Sequence, residues 1–293
     1  MSKEREPLAY SGIFFDSPDL VFFSQWYETG ILGGATLNPP SLKKAGVTNV
    51  EEHFEKMVNI VGQKPFPISV EIPDTDWPEE KMIELGLLYH KKFPENAVIK
   101  VPMDPRNPWK AFFVLKELGE NEVRTNATLG LTAGQLISAA EAGRLSNAKG
   151  DNYVSLFWGR REEARLEIFK EEEELLKSEQ GKERYYPINY KDNMRSRLFS
   201  GDLIADAEQT LTTTLNYLER HKLDIRVIVG SIRRPYQIEK AFSLGADIVT
   251  IPPEILSEWM RTKRGKETAN EFNDAYRSVK ESMVLIEGFT PPE

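Results

Sequence analysis

The sequence predicts an α/β fold of the (β/α)₈ barrel (TIM barrel) class, built as a single domain over residues 1–293. Eight short apolar runs alternate with amphipathic segments, which is typical of parallel strands joined by helices. The length fits a closed barrel better than the alternative, an open doubly wound sheet. Nucleotide-binding versions of the open sheet lose support because no Gly-x-Gly-x-x-Gly or Gly-x-x-x-x-Gly-Lys-Ser/Thr motif follows any strand.

The predicted strands are short and apolar, as strands buried on both faces of a parallel sheet require. They cover residues 11–16, 33–39, 68–72, 97–102, 122–129, 152–157, 225–230 and 247–251. Helices are predicted at residues 18–29, 49–61, 77–93, 132–143, 202–221 and 235–244, from their spacing of apolar positions. Thr48 or Asn49 is the predicted N-cap of the second helix.

Composition and charge narrow the function classes. The chain holds 46 acidic and 38 basic residues and a formal charge of −8, whereas a nucleic-acid binder normally shows a basic excess. With no cysteine and three histidines, it has no disulfide or thiolate metal site, and a histidine-rich metal centre is disfavoured. No apolar window reaches membrane-spanning length. We therefore expect a cytoplasmic protein with no nucleic-acid or membrane partner.

The most unusual position is Lys100, within the apolar strand at residues 97–102. An ammonium there must reach solvent, pair with a carboxylate, or lose its proton, and a neutral amine is a nucleophile. Val98, Ile99 and Val101 are expected to desolvate the amine and so favour its neutral form. The alternative is that Lys100 ends an edge strand with its amine in water.

Polar side chains stand at or near the ends of successive predicted strands. They are Asp16, Asn38, Glu71, Lys100, Asn126, Thr128 and Ser155. In a barrel these strand ends share one face, where the following loops build the active site. A single such residue is commonly a cap or turn residue, but a series on successive strands predicts an active site.

Seven short motifs follow one another along these strands. They are Phe-Asp-Ser at residues 15–17, Gly-Ala-Thr-Leu-Asn-Pro at 34–39, Ile-Lys-Val-Pro at 99–102, Thr-Asn-Ala-Thr-Leu at 125–129, Phe-Trp-Gly-Arg at 157–160, Gly-Ser-Ile-Arg at 230–233 and Gly-Ala-Asp-Ile-Val-Thr-Ile-Pro-Pro at 245–253. In this ordered series the chain resembles the transaldolase family, class I aldolase barrels that include the fructose-6-phosphate aldolases. The resemblance implies Schiff-base chemistry without a metal or any other cofactor.

The resemblance implies catalytic roles for four residues. Lys100 would attack the ketone carbon of a ketose phosphate, because the resulting iminium is a better electron sink than a ketone. Glu71 and Thr128 would hold and activate a water for the loss of the carbinolamine hydroxyl. Asp16 would take the proton of the C4 hydroxyl as the C3–C4 bond breaks, and return it when the acceptor aldehyde binds.

The resemblance also implies the substrate contacts. Asn38 and Asn126 would hydrogen-bond the hydroxyls of the three-carbon unit, and Thr36 and Ser155 would line the same pocket. Leu37 stands where the family usually has threonine, and its bulk is expected to reshape the pocket wall.

The substrate anion is expected at the loops after strands six and seven. Arg160, Ser231 and Arg233 lie there, where barrels often bind phosphate and a guanidinium fits its geometry. The alternative for Arg160 and Arg161 is a pair of surface charges that interact with Glu162 and Glu163. Arginines alone do not distinguish a phosphate from a sulfonate.

Phe157 and Glu71 favour transfer over simple cleavage. The resemblance has phenylalanine and glutamate at these positions in transaldolases, and tyrosine and glutamine in fructose-6-phosphate aldolases. The implied function is transfer of a dihydroxyacetone unit from a ketose phosphate, such as fructose 6-phosphate, to an aldose phosphate. The alternatives are an aldolase that releases free dihydroxyacetone, a transaldolase that acts on a sulfonated ketose, and a sugar-phosphate-binding barrel without activity.

Two segments extend beyond the strand and helix alternation. Residues 161–201 form a charged insertion, interpreted as a solvated helix with a connector or, alternatively, as a lid over the anion-binding loops. Residues 257–284 are predicted to form a C-terminal helical segment that packs across the barrel. The resemblance further implies a homo-oligomer, whose subunit number the sequence does not give.

Overall fold

Eight parallel strands close into a barrel in a computed structural model that describes residues 8–62, 64–166, 206–280 and 286. Each strand pairs with the next along the chain, and the last pairs with the first. The strands are β1 Ile13–Phe15, β2 Gly34–Thr36, β3 Ile68–Glu71, β4 Ala97–Pro102, β5 Thr125–Gly130, β6 Asn152–Phe157, β7 Ile225–Gly230 and β8 Ile248–Ile251. The predicted (β/α)₈ barrel is confirmed, and the doubly wound alternative is excluded.

Helices lie between the strands and beyond the last one. They are α1 Leu20–Glu28, α2 Pro39–Lys44, α3 Val50–Val61, α4 Glu79–Lys92, α5 Pro108–Glu120, α6 Ala133–Gly143, α7 at residues 158–166, α8 Ala207–His221, α9 Pro235–Ser243, α10 Pro253–Trp259 and α11 Lys263–Val279. The sequence reading placed no helix at α2 or α5. Both begin with a proline in the first turn, where its missing N–H costs nothing and its fixed φ suits the helix.

The barrel interior changes from apolar to polar along the strands. Near the amino ends, one cluster of fully buried side chains fills the interior; its members are Phe14, Val98, Tyr153, Ile228 and Ile248. Successive inward positions are two residues apart, so the next positions are Asp16, Lys100, Ser155, Gly230 and Thr250. This step to polar residues places the chemistry at the carboxyl ends of the strands.

A larger core fills the layer between the strands and the helices, and it contains Leu37, Ile99 and Val101. Two expectations about these residues are therefore wrong. Leu37 is fully buried in the outer layer and does not reshape the pocket wall. Ile99 and Val101 point away from the interior because neighbours along a strand alternate between faces. Of the three residues expected to desolvate Lys100, only Val98 lies in the interior cluster.

A polar network closes the amino end of the barrel. The Tyr10 hydroxyl donates to Asp151 Oδ2 at 2.7 Å and lies 2.7 Å from the Tyr153 hydroxyl. Arg226 Nε donates to Asp151 Oδ1 at 3.1 Å, and the Arg226 guanidinium also lies 3.7 Å from Asp247 Oδ1. Burial raises the pKa of both tyrosines, so they remain neutral hydrogen-bonding groups.

Two predicted segments are only partly described. Residues 161–166 of the insertion belong to α7, whereas residues 167–201, which include the four consecutive glutamates at 171–174, lie outside the described residues. The alternative of a lid over the anion-binding loops therefore stays a prediction. The C-terminal segment forms the end of α10 and all of α11, and residues 281–284 lie outside the described residues.

The expected packing of the C-terminal segment across the barrel is not observed. No residue of α11 is buried, and Phe272 is 71% exposed. The helix is rich in charged and polar residues on most of its surface, so little apolar area is available to hold it against the barrel. No helix in the described part of the chain is long and apolar enough to cross a membrane.

Candidate active site

A cavity of about 1170 Å³ opens at the carboxyl ends of the strands. Most of the predicted site residues line it, although they come from six different strands or the loops that follow them. These residues are Asp16, Thr36, Asn38, Glu71, Lys100, Ser155, Phe157, Arg160, Ser231 and Arg233. The other two, Asn126 and Thr128, are fully buried in β5 and do not line the cavity.

Lys100 is 3% exposed, and its amine contacts a carboxylate within the barrel. Nζ lies 2.8 Å from Glu71 Oε2 and donates to the Leu37 carbonyl oxygen at 3.2 Å. The register of β3 and β4 sets Glu71 beside Lys100, so this contact follows directly from strand pairing. The alternative of an edge-strand lysine in water is wrong, because β4 pairs on both sides and the amine is buried.

Asp16 lies on the same cavity, one residue beyond β1. Thr36 Oγ1 and Asn38 Nδ2 donate to Asp16 Oδ1 at 3.1 and 3.4 Å, which fixes the orientation of the carboxylate. Burial raises the pKa of Asp16, and the positive charge of Lys100 opposes that rise. A carboxylate of this kind is suited to proton transfer because it holds its proton more readily than an exposed aspartate.

Asn38 and Asn126 are each engaged with the protein. Asn38 Oδ1 accepts from the Ser41 amide at 2.9 Å and so caps the start of α2. Asn126 Oδ1 accepts from Ser155 Oγ at 2.7 Å, and its Nδ2 donates to Ser69 Oγ at 3.2 Å. These bonds hold both amides in fixed positions, as residues that orient a ligand require.

Two buried oxygen atoms on β3 and β5, the strands on either side of β4, have unused hydrogen-bonding capacity. Thr128 Oγ1 has no hydrogen-bond partner among the described residues. Glu71 Oε2 contacts the Lys100 ammonium at 2.8 Å and has no other partner among the described residues. Because buried polar groups are rarely left unpaired in native proteins, these atoms suit a small polar ligand such as a water.

Thr250 was not among the predicted site residues, but it lines the cavity from β8. Its Oγ1 lies 2.7 Å from Thr36 Oγ1, within hydrogen-bond distance, and Thr36 in turn donates to Asp16. A signal was available in the sequence: Thr250 is two positions beyond the inward-facing Ile248, so it points to the interior as Lys100 does beyond Val98.

The two loops expected to bind an anion are joined to each other. The amide of Gly159 donates to the Ser231 carbonyl oxygen at 3.1 Å, and the amide of Arg160 donates to Ser231 Oγ at 3.3 Å. A Cβ at position 159 would lie 2.2 Å from the Ser231 carbonyl oxygen, so the close approach requires glycine. Arg160 and Arg233 are thereby held on one side of the cavity.

Both of these arginines pair with Glu163. Arg160 Nη1 lies 3.1 Å from Glu163 Oε2, and Arg233 Nε lies 3.3 Å from Glu163 Oε1. The alternative foreseen for Arg160, an ion pair with a following glutamate, is therefore observed, although Arg160 also lines the cavity. The surface position foreseen for Arg161 is wrong, because its side chain is buried. In the described part of the chain, no group of three or more His, Asp or Glu residues could hold a metal ion.

Comparison with known proteins shows to which family the chain belongs. A profile of the transaldolase/fructose-6-phosphate aldolase family matches residues 13–287. The chain belongs to this family. The resemblance carried by the seven motifs is confirmed, and membership of the transaldolase/fructose-6-phosphate aldolase family supports an aldolase-type enzyme.

Individual relatives in the family are distant in sequence. A probable transaldolase of Exiguobacterium sp. is 27% identical over 248 residues, which cover 85% of this chain and 89% of the relative. A probable transaldolase of Thermoplasma acidophilum is 26% identical over 274 residues, covering 94% of this chain and 99% of the relative. One of Geobacillus sp. is 29% identical over 245 residues, covering 84% and 88%.

Proposed function

We propose that this protein is a transaldolase that transfers a dihydroxyacetone unit from a ketose phosphate, such as fructose 6-phosphate, to an aldose phosphate. The observation that carries the proposal is the buried amine of Lys100 on a cavity that Asp16 and two arginines also line. Burial restricts the access of water, the amine supplies a nucleophile, the carboxylate supplies a base, and the arginines attract an anionic group.

The first step forms the Schiff base. Glu71, 2.8 Å from Nζ, takes a proton from the Lys100 ammonium, and the neutral amine attacks the ketone carbon of the donor. A proton then moves from the attacking nitrogen to the new alkoxide oxygen, which gives the carbinolamine. A water hydrogen-bonded to Glu71 and Thr128 passes the proton held by Glu71 to the carbinolamine hydroxyl, which leaves as water. The unused oxygen lone pairs of these two residues support this placement of the water.

The second step breaks the carbon–carbon bond. Asp16 takes the proton of the C4 hydroxyl, the C3–C4 electron pair moves into the iminium to give an enamine, and an aldose phosphate departs. The enamine then attacks the acceptor aldehyde, and Asp16 returns the proton to the new hydroxyl. The hydrogen bonds from Thr36 and Asn38 support this role because they hold the carboxylate in one orientation.

The remaining residues position the donor. Ser155 and Asn38 line the cavity and are proposed to hydrogen-bond the hydroxyls of the three-carbon unit. Asn126 is engaged with Ser155, so we assign it a positioning role through that hydroxyl. Arg160, Ser231 and Arg233 are proposed to bind the phosphate at the side of the cavity where β6 and β7 end.

A transfer assay tests the proposed function. The enzyme is incubated with fructose 6-phosphate alone and with aldose phosphates of four or five carbons as acceptors, and the new ketose phosphates are quantified. We expect product only when donor and acceptor are both present, with little free dihydroxyacetone. Equal rates of donor cleavage with and without acceptor would instead establish an aldolase, and no turnover of any donor would contradict both activities.

Replacing Phe157 by tyrosine is expected to raise the release of free dihydroxyacetone. Phe157 lines the cavity at the end of β6, so a hydroxyl there could donate a proton to the covalent intermediate or position a hydrolytic water. We expect a gain of about 10- to 100-fold, which reaches only the low end of general acid–base effects. Phe157→Leu, which adds no hydroxyl, is the control; equal release from both variants would contradict a role for the hydroxyl.

A further inference from the structure

Glu163 lies between the two arginines proposed to bind the substrate anion. Its two carboxylate oxygens contact different guanidinium groups. Glu163 Oε2 lies 3.1 Å from Arg160 Nη1, and Glu163 Oε1 lies 3.3 Å from Arg233 Nε. Arg160 belongs to α7 and Arg233 to the loop before α9, so one side chain links both parts of the anion site.

The neighbouring residue Glu162 holds this part of α7 in place. Glu162 Oε1 accepts from Trp158 Nε1 at 2.7 Å, and Oε2 accepts from Gln237 Nε2 at 2.6 Å. The hydroxyl of Tyr236 donates to Oε1 at 3.0 Å. Because Glu162 is in α7 and both Tyr236 and Gln237 are in α9, the last two bonds fix the two helices relative to each other and keep Glu163 opposite both arginines.

The charge of the anion site follows from this arrangement. Two guanidinium groups and one carboxylate leave a single net positive charge. The loops and helices that line the cavity beyond the strands add no positive excess, since Lys44 is outnumbered there by three carboxylates, Asp19, Asp74 and Glu254. A singly charged anion would cancel the one positive charge that remains on the two arginines and Glu163. A doubly charged anion would leave one excess negative charge beside Glu163.

We propose that Glu163 is a specificity-determining residue that acts through Arg160 and Arg233 and weakens the binding of doubly charged anionic groups more than that of singly charged ones. The inference rests on the proposed function, because it takes these arginines as the site of the substrate anion. The three side chains are 42% to 64% exposed, so solvent screens the pair and the effect is moderate.

Sulfate and methanesulfonate form a matched pair of probes, because both are tetrahedral at sulfur and differ by one unit of charge. Dissociation constants are measured from the rise in melting temperature with anion concentration, at constant ionic strength. The repulsion energy from Glu163 scales with the charge of the ligand. The fold-change in the dissociation constant of the dianion is therefore the square of the fold-change for the monoanion. For Glu163→Gln we expect methanesulfonate to bind about 2-fold tighter and sulfate about 4-fold tighter.

Two further variants separate the charge of Glu163 from other effects. Glu163→Asp keeps the negative charge and should retain the wild-type preference. Glu208→Gln removes the same charge from a comparable ion pair, 3.0 Å from Lys240, which lies away from the cavity lining, and should leave both constants unchanged. An equal gain for both anions in Glu163→Gln, no gain for either, or no anion binding by any form would overturn the inference. Since binding is measured without turnover, failure of the transfer assay remains a separate result.

Discussion

Lys100→Met is expected to abolish covalent trapping and to lower transferase activity by at least about 10⁴-fold, the scale of losing a covalent nucleophile. Borohydride reduces an iminium to a stable secondary amine, so wild-type enzyme treated with donor should gain the mass of the reduced three-carbon unit. The adduct should map to Lys100 and be absent in the variant. Methionine preserves most of the side-chain volume in a position that is 3% exposed, so packing is little altered.

The Lys100 variant needs a control for stability because it breaks a buried ion pair. Loss of the ammonium leaves Glu71 without its 2.8 Å partner, and breaking such a pair typically costs about 3–5 kcal/mol. Lys100→Met combined with Glu71→Gln should recover much of the melting temperature without recovering the adduct. Lys44→Met, at the cavity mouth, should still be trapped. An adduct on another lysine in Lys100→Met would contradict the assignment of the nucleophile.

Asp16→Asn is expected to slow carbon–carbon bond cleavage by about 10²–10⁴-fold, the usual contribution of a positioned acid or base. Asparagine keeps the shape and the acceptor oxygen for Thr36 and Asn38 but cannot take the C4 proton. Schiff-base formation relies on other residues, so borohydride should still trap the intact donor on Lys100. Trapping of the three-carbon fragment at the wild-type rate would contradict the role of Asp16 as the base.

The same variant is expected to be more stable than wild type at neutral pH. Burial raises the pKa of Asp16 in the folded protein, so between the ordinary aspartate pKa of about 4 and that raised value the unfolded chain loses its proton first. Ionisation therefore favours the unfolded state as the pH rises, until the folded pKa is passed. The melting temperatures of the two proteins should converge at about pH 4, and that of Asp16→Asn should be the higher one at about pH 7. Activity should rise over the same interval as Asp16 becomes ionised.

Most elements of the fold were predictable because their signals are local. Each of the eight strands is short and apolar, and Asn49 caps α3 by accepting from the Glu52 amide at 3.0 Å, as one of its two candidate residues was predicted to do. Two helices were not predicted, and they begin at Pro39 and Pro108. Proline occurs both in turns and in the first turn of a helix, so only the residues that follow it show that a helix begins there. The packing of α11 was misjudged because apolar spacing alone does not show whether a partner surface is present.

The candidate site was predictable to the extent that strand-end position implies a shared face. Lys100 and Asp16 were correctly expected on one cavity, and Thr250 was overlooked although the two-residue alternation points to it. The outward direction of Leu37 was overlooked as well, although Leu37 lies between Thr36 and Asn38, which both line the cavity. The bridging position of Glu163 was not foreseen, because it depends on a contact between segments far apart in the chain, which local pattern does not reveal.

The sequence by itself determined the barrel, the strand on which the lysine lies and the set of polar residues that follow the strands, because these depend on periodicity and spacing within short segments. Only the tertiary structure decided that Glu71 pairs with Lys100, that Thr36 and Asn38 orient Asp16, and that Glu163 shares both arginines. These contacts are set by barrel closure and strand register, which bring distant residues to within hydrogen-bonding distance of one another.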